Sequence, residues 1–348
     1  MTNVPTSPTV DPLARLSVVI PVFNEESWVD RCLDALLRSA RAADIALDVV
    51  VVDDGSTDST PEVLREREAR GEVRVVTQPN SGRLAARLAG VRAAREESVL
   101  LLDSRVIVEE PSLTWVRAAT REDPQRRVWV GHVDVETAGN PYAAFWAGLV
   151  KIGWRRYTAD PRLLSFGSED FDLYPKGTGC LVAPRQLLLD AMSRFASLYD
   201  DDSLSSDDTR MLRDVAEHER MWLAPQFAFR YHGRAGMRGF VRQSYFRGTT
   251  FVDGYVGRPG PLRWALLGGV AAAGAGAYVL LRHPRVGLAG VVAVAAAGAA
   301  GVRASGGSAA ETRATATLLP VFAPVFTGGV VRGLALAARA RVARRRVS

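Results

Sequence analysis

Leu47-Asp-Val-Val-Val-Val-Asp-Asp-Gly-Ser-Thr-Asp58 decides the fold. Four consecutive valines leave no polar face, so a strand here is covered on both sides, as parallel strands are. The run stops at two carboxylates and a Gly-Ser-Thr-Asp turn. On either side of it the same unit repeats. Leu16–Phe23 reads as a strand, and residues 25–43 read as a helix with Trp28, Cys32, Leu33, Leu36 and Leu37 on one face. Asp58-Ser-Thr-Pro-Glu-Val-Leu64 opens a second helix, with cap candidates ahead of Pro61 in its first turn. Val73–Thr77 is a third strand, Arg83–Arg95 a third helix and Ser98–Asp103 a fourth strand. Such alternation predicts an α/β fold: a mostly parallel sheet with helices on both faces.

Composition divides the chain into an acidic front and a basic tail. The 348 residues carry a net charge of +6, but residues 257–348 hold 12 Arg against the single acid Glu311, a balance of +11. The remainder holds 32 basic and 37 acidic residues, a balance of −5. The basic excess is therefore local to an Ala/Gly/Val-rich tail and does not indicate nucleic-acid binding. With 47% hydrophobic and 24% charged residues, the bulk of the chain is expected to fold. Two cysteines, Cys32 and Cys180, make neither a disulfide framework nor a zinc site by themselves, and fit a reducing compartment. Residues 1–15 read as a disordered lead without the apolar stretch of a signal peptide.

Ligands of open α/β sheets bind outside the carboxyl ends of the strands. Three polar clusters stand at those ends: Pro21-Val-Phe-Asn-Glu-Glu26, Asp53-Asp54-Gly-Ser-Thr-Asp58 and Asp103-Ser-Arg105. One such Asp would be an ordinary helix cap; three ends together point to a site. No Gly-x-Gly-x-x-Gly follows the first strand and no phosphate-binding Gly-x-x-x-x-Gly-Lys-Ser/Thr occurs, against dinucleotide dehydrogenases and P-loop enzymes.

Residues 111–256 are mixed. Val128–Val135 reads as a strand, Lys176–Pro184 as a glycine loop feeding a strand, and Arg185–Phe195 as a helix. An acidic stretch, Tyr199–Leu212, precedes the aromatic and basic segments Phe229–His232 and Phe240–Gly248. In the tail, Trp264–Leu281 and Val286–Val302 run 18 and 17 residues without a charge. Arg263, Arg282, Arg285 and Arg303 bracket them as interface anchors would, which favours a membrane hairpin over buried soluble helices. A third apolar stretch, about 315–338, contains Pro320 and Pro324 and ends in Arg339–Arg346. After a two-helix hairpin a third span would put those arginines outside, so an interfacial helix on the cytoplasmic leaflet fits the positive-inside rule better. The expected organisation is 16–256 as catalytic domain, divided near 110, and 257–348 as membrane region with helices near 262–281 and 286–302.

Ser17–Glu25, Val51–Asp58, Asn80-Ser-Gly-Arg-Leu-Ala-Ala-Arg87 with Gly90, and Leu101–Asp103 occur in an order and spacing that resemble the inverting family 2 glycosyltransferases of the GT-A fold. The likeness continues more loosely to about residue 250. Gly177-Thr-Gly179 is similar to the family's acceptor-side glycine loop, Asp207-Asp-Thr-Arg-Met-Leu212 to its Glu-Asp catalytic motif, and Gln243-Ser-Tyr-Phe-Arg247 to the Gln-x-x-Arg element of membrane-associated members.

The resemblance implies a nucleotide-sugar donor, most commonly a UDP-sugar in this family, and a lipid-linked or membrane-proximal acceptor hydroxyl. It also implies a catalytic domain on the cytoplasmic side of the plasma membrane, in contact with membrane lipids. Pro21, Glu25, Asp53 and Asp54 would hold base and ribose, and Arg83 and Arg87 the phosphates. Asp208 would be the base, with Asp207 beside it and Glu169-Asp170 as a rival pair. Gly177, Gly179, Gln243 and Arg247 would serve the acceptor or a gate. The family's Asp-x-Asp is here Asp103-Ser-Arg105. Two readings stay open: Asp103 and His232 hold Mg²⁺ or Mn²⁺, or Arg105 pairs with phosphate in the metal's place. A catalytically degenerate, donor-binding membrane subunit is the alternative function.

Overall fold

The computed structural model describes residues 11–201, 204–257 and 260–347. The first half alternates as expected: β1 (Arg15–Val22), α1 (Val29–Ala42), β2 (Ala46–Asp53), α2 (Thr60–Ala69), β3 (Arg74–Thr77), α3 (Arg83–Ala93) and β4 (Ser98–Leu102). Residues 1–10 of the expected disordered lead lie outside the described residues. Residues 11–14 already belong to the fold, because Leu13 is buried and Asp11 pairs with Arg117 at 2.8 Å. β5 (Val106–Val108), α4 (Ser112–Glu122), β6 (Val128–Val135), α5 (Pro141–Gly153), α6 (Arg155–Thr158) and β7 (Leu164–Phe166) come next. β8 (Cys180–Pro184), α7 (Arg185–Ser193), α8 (Asp207–His218), β9 (Met221–Tyr231) and α9 (Met237–Tyr255) complete the globular part.

The strands form one mixed sheet in the order β3-β2-β1-β4-β8-β6-β9-β5, with β7 added on β9. β3, β2, β1 and β4 are mutually parallel, and β8 enters antiparallel between β4 and β6. Val49, Val50, Val51 and Val52 are all buried, divided between the hydrophobic layers on the two faces. That accounts for the unbroken valine run: burying each such side chain contributes about 1.5–3 kcal/mol. α3 lies so close on β1 that a Cβ at Gly90 would fall 2.3 Å from a Val19 methyl, which is why glycine stands there. The chain order reverses between β1 and β4, and the crevice of an open sheet forms at such a switch point.

Three long helices close the chain: α10 (Pro261–Arg282), α11 (Pro284–Ala304) and α12 (Ala309–Val347). All three are long and apolar enough to cross a bilayer. α10 and α11 are an antiparallel pair with Leu281, Val286, Leu288, Val292 and Val294 exposed, an apolar surface that suits lipid rather than water. α12 behaves differently. It continues through Pro320 and Pro324 as one helix, longer than the expected 315–338, and it touches the globular part along its length. Glu311 pairs with Lys151 at 2.8 Å, Phe322 packs on Phe145 and Trp146, and Phe326 packs on Phe251. Near its end, Arg344 donates to the carbonyls of Ser197 and Tyr199. Backbones meet where Gly248 of α9 faces Gly329, whose absent side chain would fall 2.1 Å from the Tyr245 carbonyl oxygen. Gly329→Leu should therefore push α12 off α9 at a cost of about 1–3 kcal/mol. Thermal unfolding in detergent measures the loss, and faster proteolysis near residues 305–310 should accompany it.

Candidate active site

The site is built at the switch point, from loops that follow β1, β2 and β4. Asp53 and Asp54 are both buried. Asp53 accepts a hydrogen bond from the Ser56 amide at 2.9 Å. Asp54 accepts from the Gln78 amide side chain at 2.7 Å, from the Ser81 N–H at 2.8 Å and from the Gly82 N–H at 2.9 Å. Its carboxylate thereby shapes the turn into α3, where helix N–H groups need an acceptor. Gly55 has φ +77° and sits under the Asn80 amide, so a side chain would clash there. The sequence predicts a base-and-ribose role for these residues; in the structure their carboxylates tie the turns that follow β2, with half-buried Pro21 on the neighbouring β1.

Glu25 is buried and carries two guanidinium partners, Arg105 Nε at 2.8 Å and Arg234 Nη2 at 2.8 Å, while its own N–H donates to Thr60 Oγ1 at 2.9 Å. Arg105 lies 5.3 Å from the centre of the Trp28 ring, and His232 packs against the same indole at 4.7 Å. Two arginines on one carboxylate leave this side of the crevice positively charged.

Across the crevice, Arg87 is 1% exposed. Its Nη2 donates to Asp103 Oδ1 at 2.9 Å and its Nη1 to Asp208 Oδ1 at 3.0 Å. The sequence predicts a phosphate ligand at Arg87; instead its guanidinium is engaged between two carboxylates. Thr178, buried in the glycine loop, donates its hydroxyl to the same Asp208 oxygen. A Cβ on Gly179 would stand 2.9 Å from Asp103 Oδ2, so the loop can approach Asp103 only with glycine there; Gly177 faces open space. Burial alone would raise the Asp208 carboxyl. The charges of Arg87, Arg83 and Arg247 and the Thr178 hydroxyl outweigh it and hold the group below the usual carboxylate range.

α9 roofs this corner. Its Phe246 lies under Arg83 at 5.8 Å, and Arg247 stacks on Trp146 of α5 at 4.6 Å. Gln243 is half-buried one turn earlier on the same helix. Asp207 opens α8, but its side chain lies outside the described residues. The rival pair is used elsewhere: Glu169 pairs with Arg220 at 2.9 Å, and Asp170 accepts from the Gly167 N–H.

The predicted metal ligands are not brought into a ligand set. Among the described residues no three His, Cys, Asp or Glu side chains gather as a metal site. Asp103 already accepts from Arg87, and the His232 N–H of the backbone is tied to the Arg105 carbonyl at 2.9 Å. Burial, together with Arg230, Arg31 and Arg105 and against the pull of Glu136, holds the His232 imidazole below its ordinary value. One carboxylate and a stacked imidazole among guanidinium groups do not fit a resident divalent cation.

Three contributors escape the sequence. Arg234 lies in a polar stretch with no pattern to single it out. Thr178 is visible only as the middle of Gly-Thr-Gly. Asp253 is fully buried near the end of α9; its carboxylate accepts from the Leu198 and Ser206 N–H groups at 2.7 Å each and from Ser197 Oγ at 3.1 Å, and forms an ion pair with Arg210 at 3.2 Å, which donates to the Asp253 main-chain carbonyl. Ser206 precedes α8, so Asp253 sets where Asp208 stands. A lone carboxylate in the otherwise aromatic and small Thr250–Tyr255 stretch is the signal that could have found it.

Residues 17–161 match Glycosyl transferase family 2. Over that stretch, less than half of the chain, the sequence is similar to this family. Over 169 residues it is 33% identical to validoxylamine A glucosyltransferase of Streptomyces hygroscopicus subsp. limoneus, covering 45% of this chain and 37% of the relative. Over 100 residues it is 41% identical to the undecaprenyl-phosphate 4-deoxy-4-formamido-L-arabinose transferase of Pseudomonas aeruginosa (strain LESB58), covering 27% and 28%. The chain thus spans less than half the length of these curated relatives. Among solved structures it is similar to a mannosyltransferase from Pyrobaculum calidifontis in complex with GDP-Man and Mn²⁺, with TM-score 0.57 and 18% identity over 92% of this chain and 86% of that one. At that identity the likeness carries the fold alone: the mixed sheet and its helices have the GT-A fold. The corner around Asp208 depends on Asp253: Asp253→Ala leaves the Ser206 and Leu198 amides and the Ser197 hydroxyl without their acceptor and takes the buried charge from beside Arg210, which should cost about 3–5 kcal/mol. Thermal or denaturant unfolding of the detergent-solubilised chain checks this.

Proposed function

We propose that this chain is a membrane-bound inverting glycosyltransferase that moves a sugar from a nucleotide-sugar donor, a UDP-sugar by family frequency, to a lipid-linked or membrane-proximal acceptor hydroxyl. The observation that carries the reading is buried Arg87, which joins the strand-end carboxylate Asp103 to Asp208 in one hydrogen-bonded array. The acceptor oxygen attacks the anomeric carbon from the side opposite the diphosphate. Asp208 takes the hydroxyl proton, the bond from that carbon to the diphosphate oxygen breaks, and the leaving group departs with the electron pair. Arg83 at the exposed start of α3 and Arg105 beside Glu25 supply positive charge for the departing diphosphate. Of the two readings of Asp103-Ser-Arg105, the donor set supports the one in which arginine does this work.

Packing supports one membrane arrangement. α10 and α11 form the spanning hairpin. α12 is held by the globular part from Glu311 to Arg344, which supports its lying along the interface between domain and lipid, on the cytoplasmic side in this reading. Such a mount keeps the crevice at the bilayer surface and favours acceptors anchored there.

Asp208→Asn should lower the transfer rate by about 10²–10⁴-fold with donor affinity retained. Because its partners hold Asp208 low, it stays ionised through neutral and mildly acid pH. The acid-side loss of transfer should therefore fall below about pH 4, where an ordinary Asp titrates. A purified wild-type chain that binds nucleotide but never turns over would support the donor-binding subunit instead. Transfer should persist in excess EDTA, whereas Arg105→Ala should lower kcat by about 10²–10³-fold. Loss of activity in chelator that is restored by Mn²⁺ would sink the arginine reading.

A further inference from the structure

One corner of the globular part carries charge and apolar surface that neither the crevice nor the core uses. α5 ends beside the tail. A Cβ on Gly148 would fall 3.1 Å from Val302 and from Thr315, and Lys151 reaches both the Gly306 carbonyl and Glu311. One turn on from Gly148, Ile152 is 42% exposed, and a Cβ on Gly301 would fall 3.6 Å from its terminal methyl. Gly301 and Val302 close the apolar run of α11. A spanning helix brings its last apolar residues to the bilayer surface, so Ile152 stands level with that surface.

Directly after Ile152 the chain exposes Gly153, Arg155 and Arg156, with half-buried Trp154 between them. Other exposed arginines of this domain have acids beside them: Arg15 pairs with Glu96 at 2.7 Å, Arg194 with Asp214 at 2.7 Å and Arg220 with Glu169 at 2.9 Å. Among the described residues no acid pairs with the Arg155 or Arg156 guanidinium, although acids outnumber bases in residues 1–256. An aliphatic side chain, an indole and two unpaired guanidinium groups in succession match the layers of a bilayer surface, from acyl chain through headgroup to phosphate. The indole also lies 5.9 Å from Lys176 Nζ, which donates to the Phe171 and Tyr174 carbonyls just ahead of Gly177-Thr178-Gly179. The corner therefore adjoins the loop whose Thr178 reaches Asp208.

We infer that Ile152, Trp154, Arg155 and Arg156 form a membrane-docking surface of the globular domain that takes anionic phospholipid headgroups. The inference rests on the membrane-bound reading. Ile152 enters the acyl boundary beside α11, and the two guanidinium groups pair with headgroup phosphates. With α10 and α11 as the anchor, this second contact fixes the tilt of the domain and holds the glycine loop close to the lipid surface.

The test uses the full chain in nanodiscs of phosphatidylcholine, alone or mixed with phosphatidylglycerol, in which some of the phospholipid carries a nitroxide on its acyl chain. Cys32 and Cys180 are buried, so a single added cysteine takes an environment-sensitive fluorophore. Ile152→Cys and Gly153→Cys place it on the corner, and Gly153 has open space for a side chain. Ala69→Cys, exposed at the end of α2, places it at the other end of the sheet, where β3 is the edge strand. Nitroxide lipid should quench the corner labels about twofold or more beyond the Ala69→Cys label, and more strongly with phosphatidylglycerol present. Arg155→Glu combined with Arg156→Glu should bring quenching in the mixed discs down to the level in phosphatidylcholine alone with the melting temperature unchanged, whereas Arg155→Lys combined with Arg156→Lys should retain it. The inference is overturned if the corner labels are quenched no more than the Ala69→Cys label, or if charge reversal leaves quenching in the mixed discs unchanged. A chain that does not enter nanodiscs at all would count against the membrane-bound reading, a different failure.

Discussion

A single buried guanidinium holds the catalytic corner together. Arg87 is surrounded by protein, and its hydrogen bonds to Asp103 and Asp208 tie α3, β4 and α8 at one point. A charge in that position is tolerable only because two carboxylates and a hydroxyl complete the network. The same network keeps Asp208 ionised. The feature that orders the site thus also sets its protonation, and Thr178 and Gly179 can approach only because their loop carries almost no bulk.

Local pattern made the parallel half of the fold legible. Val49–Val52, the helix face around Cys32 and Leu36, and the polar turn at 54–58 each report a neighbourhood of a few residues, and each landed in the expected element. The antiparallel insertion of β8 between β4 and β6 was not legible, because no local pattern says which strands will be neighbours. The candidate site divides the same way. Asp103 follows β4, Asp208 lies in the first turn of α8, and Arg87 bridges them. Arg87 carries the same charge whether it meets a phosphate or two carboxylates, and only the burial of α3 on β1 separates those cases. Arg234 reaches Glu25 from 209 positions away, beyond any spacing rule.

Substituting Arg105 for a carboxylate has consequences beyond the position itself. An Asp there would face buried Glu25 and Asp103, and three carboxylates would need a cation among them. With arginine the carboxylates are neutralised by the chain's own groups, and Arg234 adds a second positive charge on Glu25. Positive charge at this corner thus comes from guanidinium groups, which are charged at every relevant pH.

The tail's charge acquires a structural meaning by the same accounting. Its one acid, Glu311, caps α12 through the Ser308 N–H at 2.8 Å and pairs with Lys151, one of only two lysines in the chain. That pair fastens the start of α12 to α5, and the last turns are fastened by Arg344 at residues 197–200. The only negative charge of the tail is therefore spent on docking to the domain, so nothing within the tail neutralises its remaining arginines. Anionic headgroups are the partners that a row of guanidinium groups on an interfacial helix would find. Glu311, Arg332 and Arg344 all turn towards the globular part, so α12 is first of all the strut that joins the tail to the domain.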